Sequence, residues 1–290
     1  MTELATIDAI YGPPAPHWVG DGFPVRGYFS YMPGGMRRLS PFLLLDYAQP
    51  YDFEPTDNMR RGVGPHPHRG FETVTIAYQG SVAHHDSAGN GGVIHPGDVQ
   101  WMTAGSGILH REYHAAEFAR KGGTFQMAQI WVNLPAEHKM TEPAYQALTA
   151  SQMGVAKLPK GSVTVIAGEF AGAKGPARTF TPINMFTVRL EAGGTVDLPL
   201  PEGWNAGLLV MSGDVHVNGK DARGNDLVVF KRGSGGISVR AETPAELLLL
   251  SGQPIDEPVA NYGPFVMNTP EEIEQAIRDF HAGKFGQLDE

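Results

Sequence analysis

Two short segments constrain this chain more than anything else in it: Gly64-Pro-His66-Pro-His68-Arg-Gly-Phe-Glu72 and Gly107-Ile-Leu-His110-Arg-Glu112. Each sets two potential metal ligands two residues apart. Side chains at i and i+2 of an extended strand project from the same face. Each segment can therefore aim a pair of ligands at one point, and two such strands facing across a barrel can supply four. Three imidazoles and a carboxylate suit a borderline divalent metal such as iron, and leave positions open for substrate or oxygen. Glu72 is a rival carboxylate ligand. His114 is another rival, because it shares a strand face with His110 and Glu112 if that strand continues. Glu112 ranks above both.

The rest of the chain fits such an architecture. Its 290 residues are enough for two domains of ordinary size, and 41% hydrophobic content supplies a core. Gly 37 and Pro 23 are expected where many short strands are joined by turns. A net charge of −9 with no basic run argues against nucleic acid as a direct partner. Cysteine is absent, which removes disulfides, thiolate catalysis and Cys-ligated zinc or iron–sulfur sites. Met1-Thr-Glu-Leu-Ala lacks the basic-then-apolar pattern of a signal peptide, and Leu247-Leu-Leu-Leu250 is far too short to span a bilayer. A soluble cytoplasmic protein, away from membranes, is expected.

Strand candidates in the first half are Phe71 to Tyr78, Val99 to Met102 and Phe125 to Val132, punctuated by Gln79-Gly80, Ser87 to Gly92 and Pro96-Gly97-Asp98. Lys139 to Leu158 reads as a linker. The second half repeats the style, with candidates Val163 to Ala167, Asn184 to Leu190, Ala206 to Met211, Asp214 to Val217 and Glu246 to Leu250. Asn218-Gly219 is the strongest short hairpin signal. Two halves of similar length and rhythm point to two β-barrels from an old duplication, divided as 1–148 and 149–290. One helix is clear. Thr269 caps it, Pro270 takes the first helical position, and Glu272 completes a capping box. Ile273, Ile277 and Phe280 form its apolar stripe and Gly283 stops it; docking on a barrel is its expected role.

Nine of the 11 histidines lie at or before His138, so the second half cannot build a multi-histidine site and is expected to serve as structural support. His84 and His85 are adjacent and point to opposite strand faces; each is assigned to solvent or a hydrogen bond. Arg69 and Arg111 flank the ligands and should point away by the same alternation. Trp101, Phe125, Met127 and Trp131 are expected in the core, with one or two walling an apolar pocket over the metal.

The stretches His66 to Val74, Pro96 to Glu112 and Gln129-Ile-Trp-Val-Asn-Leu134 together resemble the pirin family. Ser40-Pro-Phe-Leu-Leu-Leu-Asp46 upstream and the Lys139-Met140 to Tyr145 segment downstream agree. The resemblance implies an all-β bicupin: two antiparallel jelly-roll barrels with a short C-terminal helix, and one metal, usually iron, in the N-terminal barrel. It implies His66, His68, His110 and Glu112 as ligands, the set that strand geometry ranks first. It also implies a reaction. Bacterial members resemble quercetin 2,3-dioxygenase, in which Fe(II) binds the flavonol and Glu112 acts as general base, with O2 consumed and carbon monoxide released. The alternative is a redox-responsive iron-binding regulatory protein acting through protein partners. A third reading is an oxygenase or isomerase of another small molecule. Manganese, nickel, cobalt or copper could also occupy such a site, and a monomer is expected.

Overall fold

The computed structural model describes residues 3–288. The chain is mostly antiparallel β-structure, with two α-helices, Ala116–Lys121 and the C-terminal Pro270–His281, and a few single 3-10 turns among the described residues. It divides into two compact units. Residues 15–31, 42–150 and 255–288 make one; residues 3–14, 32–41 and 151–254 make the other. The division is therefore not a single cut between 148 and 149. The strand Ile7–Tyr11 pairs with Leu227–Phe230 in the later unit, and the C-terminal helix belongs with the earlier one.

The unit carrying the paired ligands has two large sheets and a two-stranded one, Ala260–Tyr262 with Phe265–Met267. A seven-stranded sheet runs Ala144–Leu148, Val99–Thr103, Phe71–Gln79, Gly123–Asn133, Phe42–Phe53, Phe23–Gly27, His17–Val19. A four-stranded sheet runs Gly62–His68, Ile108–His114, Val82–Asp86, Gly91–Ile94. Phe71–Gln79 is buried on both faces along nearly its whole length, which is why it reads as a β-branched and aromatic run rather than an alternating one. The linker expectation for 139–158 is corrected. Ala144–Leu148 pairs with Val99–Thr103, and Gly154–Leu158 pairs with Gly161–Ala167. Both segments are half exposed at sheet edges, so little apolar periodicity marks them.

The other unit is built on a ten-stranded sheet, with a small ladder of Glu169–Phe170 and Ala173–Lys174, and its apolar side chains form one continuous core, including Val163, Phe186, Leu208, Phe230, Ile237 and Leu249. Asn218 and Gly219 both have positive φ (43° and 81°) and join Asp214–Val217 to Lys220–Arg223, the two-residue hairpin that Asn-Gly signals. The C-terminal helix has the full capping box, with the Thr269 hydroxyl accepting from the Glu272 amide at 3.2 Å and Glu272 Oε2 accepting from the Thr269 amide at 2.9 Å. No helix among the described residues is long and apolar enough to cross a membrane.

Candidate metal centre

The strand Ile108–His114 alternates strictly. Ile108, His110, Glu112 and His114 are buried, and the residues between them are half-buried. It lies between two partners. Against Gly62–His68, His110 sits opposite His66 and Ile108 opposite His68. Against Val82–Asp86, His110 sits opposite Asp86 and Glu112 opposite His84. Directly paired residues share a sheet face. Six polar side chains from three adjacent strands therefore gather on one inner face: His66, His68, His84, Asp86, His110 and Glu112. The register slips by one residue between His110 and Glu112, a bulge of the kind that re-aims side chains beside functional sites.

The imidazole rings of His66, His68 and His110 approach within 4.2–4.9 Å, centroid to centroid. One ring nitrogen from each lies within 4.8 Å of the others. His66 Nδ1 meets the Gly64 carbonyl at 2.8 Å and His68 Nδ1 meets the Pro264 carbonyl at 3.3 Å. A carbonyl can only accept, so both rings carry their proton on Nδ1 and are left with Nε2 as the lone-pair donor. His110 Nε2 is buried without a hydrogen-bond partner, an orphan that a metal ion satisfies. Burial first, and the neighbouring histidines second, hold the His68 and His110 imidazoles neutral well below the usual 6.5, the protonation state that metal binding needs. The donor set thus fits a divalent transition metal.

Glu112 is held by the opposite sheet. Its Oε1 accepts from Thr75 Oγ1 at 3.1 Å and from Gln100 Nε2 at 2.9 Å, and its Oε2 accepts from Gln129 Nε2 at 3.0 Å. Glu112 groups with His84 and His110 within 4.8 Å, so His110 is common to the two clusters. The rival ligands lie elsewhere. Glu72 precedes Thr73 and Thr75 on the opposite face of its strand, bonded by the Thr103 hydroxyl at 2.8 Å, and burial pushes its carboxyl up to about 7. His114 donates from Nε2 to the Gly22 carbonyl at 2.9 Å amid Phe23, Phe53, Phe118 and Phe125, and burial brings it down to about 4.

Trp131 stands half-buried beside His68, at 5.3 Å, and Phe71, at 4.3 Å between ring centroids. Trp101, Phe125 and Met127 are core. Arg69 turns away from the histidines to Ser106 and Asp279. His84 is the residue that sequence reasoning passed over. It is fully buried, at 0% exposure, in the middle of the cluster. A signal was present: His84 and Asp86 repeat the two-residue spacing of the two recognised pairs.

The Pirin family profile matches residues 22–132, and the Pirin C-terminal cupin domain profile matches residues 185–286. A solved quercetin 2,3-dioxygenase from Acinetobacter baumannii superposes with a TM-score of 0.94 at 50% identity, covering 99% of this chain and 100% of that one. The pirin-like protein of Solanum lycopersicum is 41% identical, and pirin of Homo sapiens 39%; each alignment covers 87% of this chain and 84% of the relative. The bicupin architecture with its short C-terminal helix is that of these relatives.

Proposed function

The chain belongs to the pirin family, and from that premise we propose that it is an iron(II)-dependent dioxygenase cleaving quercetin-like flavonols with release of carbon monoxide. The observation that carries this reading is the convergence of His66, His68 and His110 around the orphaned Nε2 of His110, with the Glu112 carboxylate alongside. The close likeness to a solved quercetin 2,3-dioxygenase supports the substrate class.

His66, His68 and His110 would hold the ion through Nε2, and Glu112 through a carboxylate oxygen. The bound ion supplies Lewis acidity that makes the flavonol 3-hydroxyl a stronger acid, and a redox centre for oxygen. Glu112 takes that proton as general base on leaving the ion, because Thr75, Gln100 and Gln129 leave it one free lone-pair site. Thr75, Gln100 and Gln129 hold both carboxylate oxygens in place while it does so, so little reorganisation is needed when the proton arrives. Trp131 offers the flat ring system an aromatic wall beside His68. Dioxygen is incorporated, the central ring opens and carbon monoxide leaves.

The test follows quercetin loss and carbon monoxide together in protein loaded with Fe(II), and in parallel with manganese, nickel, cobalt or copper. Carbon monoxide in step with quercetin, strongest with iron and abolished by His66→Ala and Glu112→Gln, is the expected result. Stoichiometric metal without turnover would overturn the reading in favour of a redox-responsive binding protein. Full turnover in metal-loaded Glu112→Gln would overturn the base assignment alone.

A further inference from the structure

The three histidines differ in what holds their outer nitrogen. His66 and His68 are oriented by backbone carbonyls, which have a single hydrogen-bonding sense. His110 Nδ1 instead faces another imidazole, His84 Nδ1, at 3.4 Å. Two imidazole nitrogens bond only if one carries a proton and the other does not, so the usable lone pair of His110 depends on the tautomer of His84.

Two independent contacts determine that tautomer. On one side, His84 Nε2 faces Asp86 Oδ2 at 3.4 Å, both side chains being fully buried; a carboxylate accepts, so Nε2 carries the proton. On the other side, Gln100 Nε2 lies 2.9 Å from Glu112 Oε1 and 3.1 Å from His84 Nδ1. The reverse amide orientation would set the Gln100 oxygen against the Glu112 carboxylate, so the amide nitrogen points there and donates to His84 Nδ1 as well. Both contacts make His84 Nδ1 an acceptor. Its single lone pair is then shared between Gln100 Nε2–H at 3.1 Å and His110 Nδ1–H at 3.4 Å, leaving His110 Nε2 bare. The ring of His84 is held flat against Tyr145, at 5.1 Å and 16°.

We propose that Asp86 and His84 are positioning residues that set the tautomer of His110 and thereby its competence as a metal ligand. Asp86 also fastens its turn, and uses both oxygens to do so. Oδ1 accepts from the backbone amides of Ala88 at 3.0 Å and Asn90 at 2.9 Å, and Oδ2 accepts from Asn90 Nδ2 at 3.1 Å while it also faces the buried imidazole. Asp86→Asn separates the two roles, because an amide oxygen can keep the backbone amides of the turn while the amide nitrogen, with the Asn90 side-chain amide turned over to accept from it, presents a donor to His84 Nε2. That donor replaces one of the two contacts that favour an acceptor at His84 Nδ1, with Gln100 left as the other, so the His84 proton shifts toward Nδ1 and the His110 proton toward Nε2, where it blocks the ligand position.

The metal-affinity arm of the test rests on the metal centre proposed above; the tautomer arm does not. Nitrogen NMR shifts of the histidine rings in metal-free protein are expected to show His84 protonated at Nε2 and His110 at Nδ1. In Asp86→Asn both are expected to shift toward the other ring nitrogen while His66 and His68 stay unchanged, and anaerobic titration with Fe(II) is expected to show affinity weakened by about ten- to a hundredfold. Wild-type His84 protonated at Nδ1, or wild-type His110 at Nε2, overturns the proposal without any variant. So does Asp86→Asn with unaltered tautomers or unaltered affinity. Predicted tautomers in a wild type that binds no metal would sink the dioxygenase reading and leave the positioning chain supported.

Discussion

Asp279 shows how much a single carboxylate does outside the metal centre. It accepts from Arg69 Nη1, Lys284 Nζ and Gln275 Nε2, each at 2.8 Å, and it ties the C-terminal helix to the residue next to His68. The hydrogen bond from Lys284 first, then that from Arg69, holds its carboxyl well below the usual 3.8. A depressed carboxyl stabilises the fold fully above its unfolded value, and that contribution fades as pH falls below it. Asp279→Asn leaves the buried Arg69 guanidinium without its counter-charge and is expected to destabilise the protein by roughly 3 kcal/mol at neutral pH. The gap between wild type and variant should narrow below about pH 4. Urea unfolding of both proteins at neutral and acid pH checks this, and an equal gap at both would reject the assignment. At this scale the sequence was legible in the spacing of His66–His68 and His110–Glu112 and silent about Asp279, because nothing in residues 270–281 names a partner two hundred positions away.

The C-terminal helix is the element whose local code is most complete. Its capping box is written in Thr269, Pro270 and Glu272, and its stripe in Ile273, Ile277 and Phe280. Thr269→Ala removes the acceptor for the Glu272 amide and is expected to lower stability by about 1 kcal/mol. Hydrogen exchange should show faster opening confined to the first turn, and unchanged protection of the Glu272 amide would count against the cap. The strand Ile108–His114 carries the opposite lesson. Its alternation announces one buried face, yet the partner strand Val82–Asp86 joins that face only through pairing. His84 and Asp86 therefore looked like ordinary residues beside a Gly-rich turn. The edge strands of residues 139–158 were unreadable for a related reason: half-exposed strands need few apolar residues, and their identity comes from the neighbour that supplies their hydrogen bonds.

At the level of the whole molecule, each unit takes its ends from distant parts of the chain. The strand Ile7–Tyr11 serves the later unit, and residues 255–288 serve the earlier one, where the Pro264 carbonyl orients His68. Separate fragments 1–148 and 149–290 are therefore expected to fold poorly. The first lacks the Pro264 and Asp279 contacts, and the second leaves Leu227–Phe230 without one of its neighbours. Dispersed NMR spectra from either fragment alone, or Fe(II) bound by the first as tightly as by the full chain, would refute this. Buried Lys139, which donates to the Gly70 and Val266 carbonyls and to Asn133, ties the same returning segment to the barrel. By itself the sequence determined what depends on neighbours along the chain: strand periodicity, turn chemistry, the helix caps and the spacing of the His66–His68 and His110–Glu112 pairs. Tertiary structure alone decided what depends on register and return: that Glu72 faces away, that His114 is taken up by the Gly22 carbonyl farther along the same strand face, that His84 and Asp86 join the cluster, and that the C-terminal segment closes on the metal unit. The physical reason is that a strand exposes its side chains by a period of two but takes its partners through hydrogen bonds to segments far away in sequence, and those partners are chosen by the packing of the whole barrel.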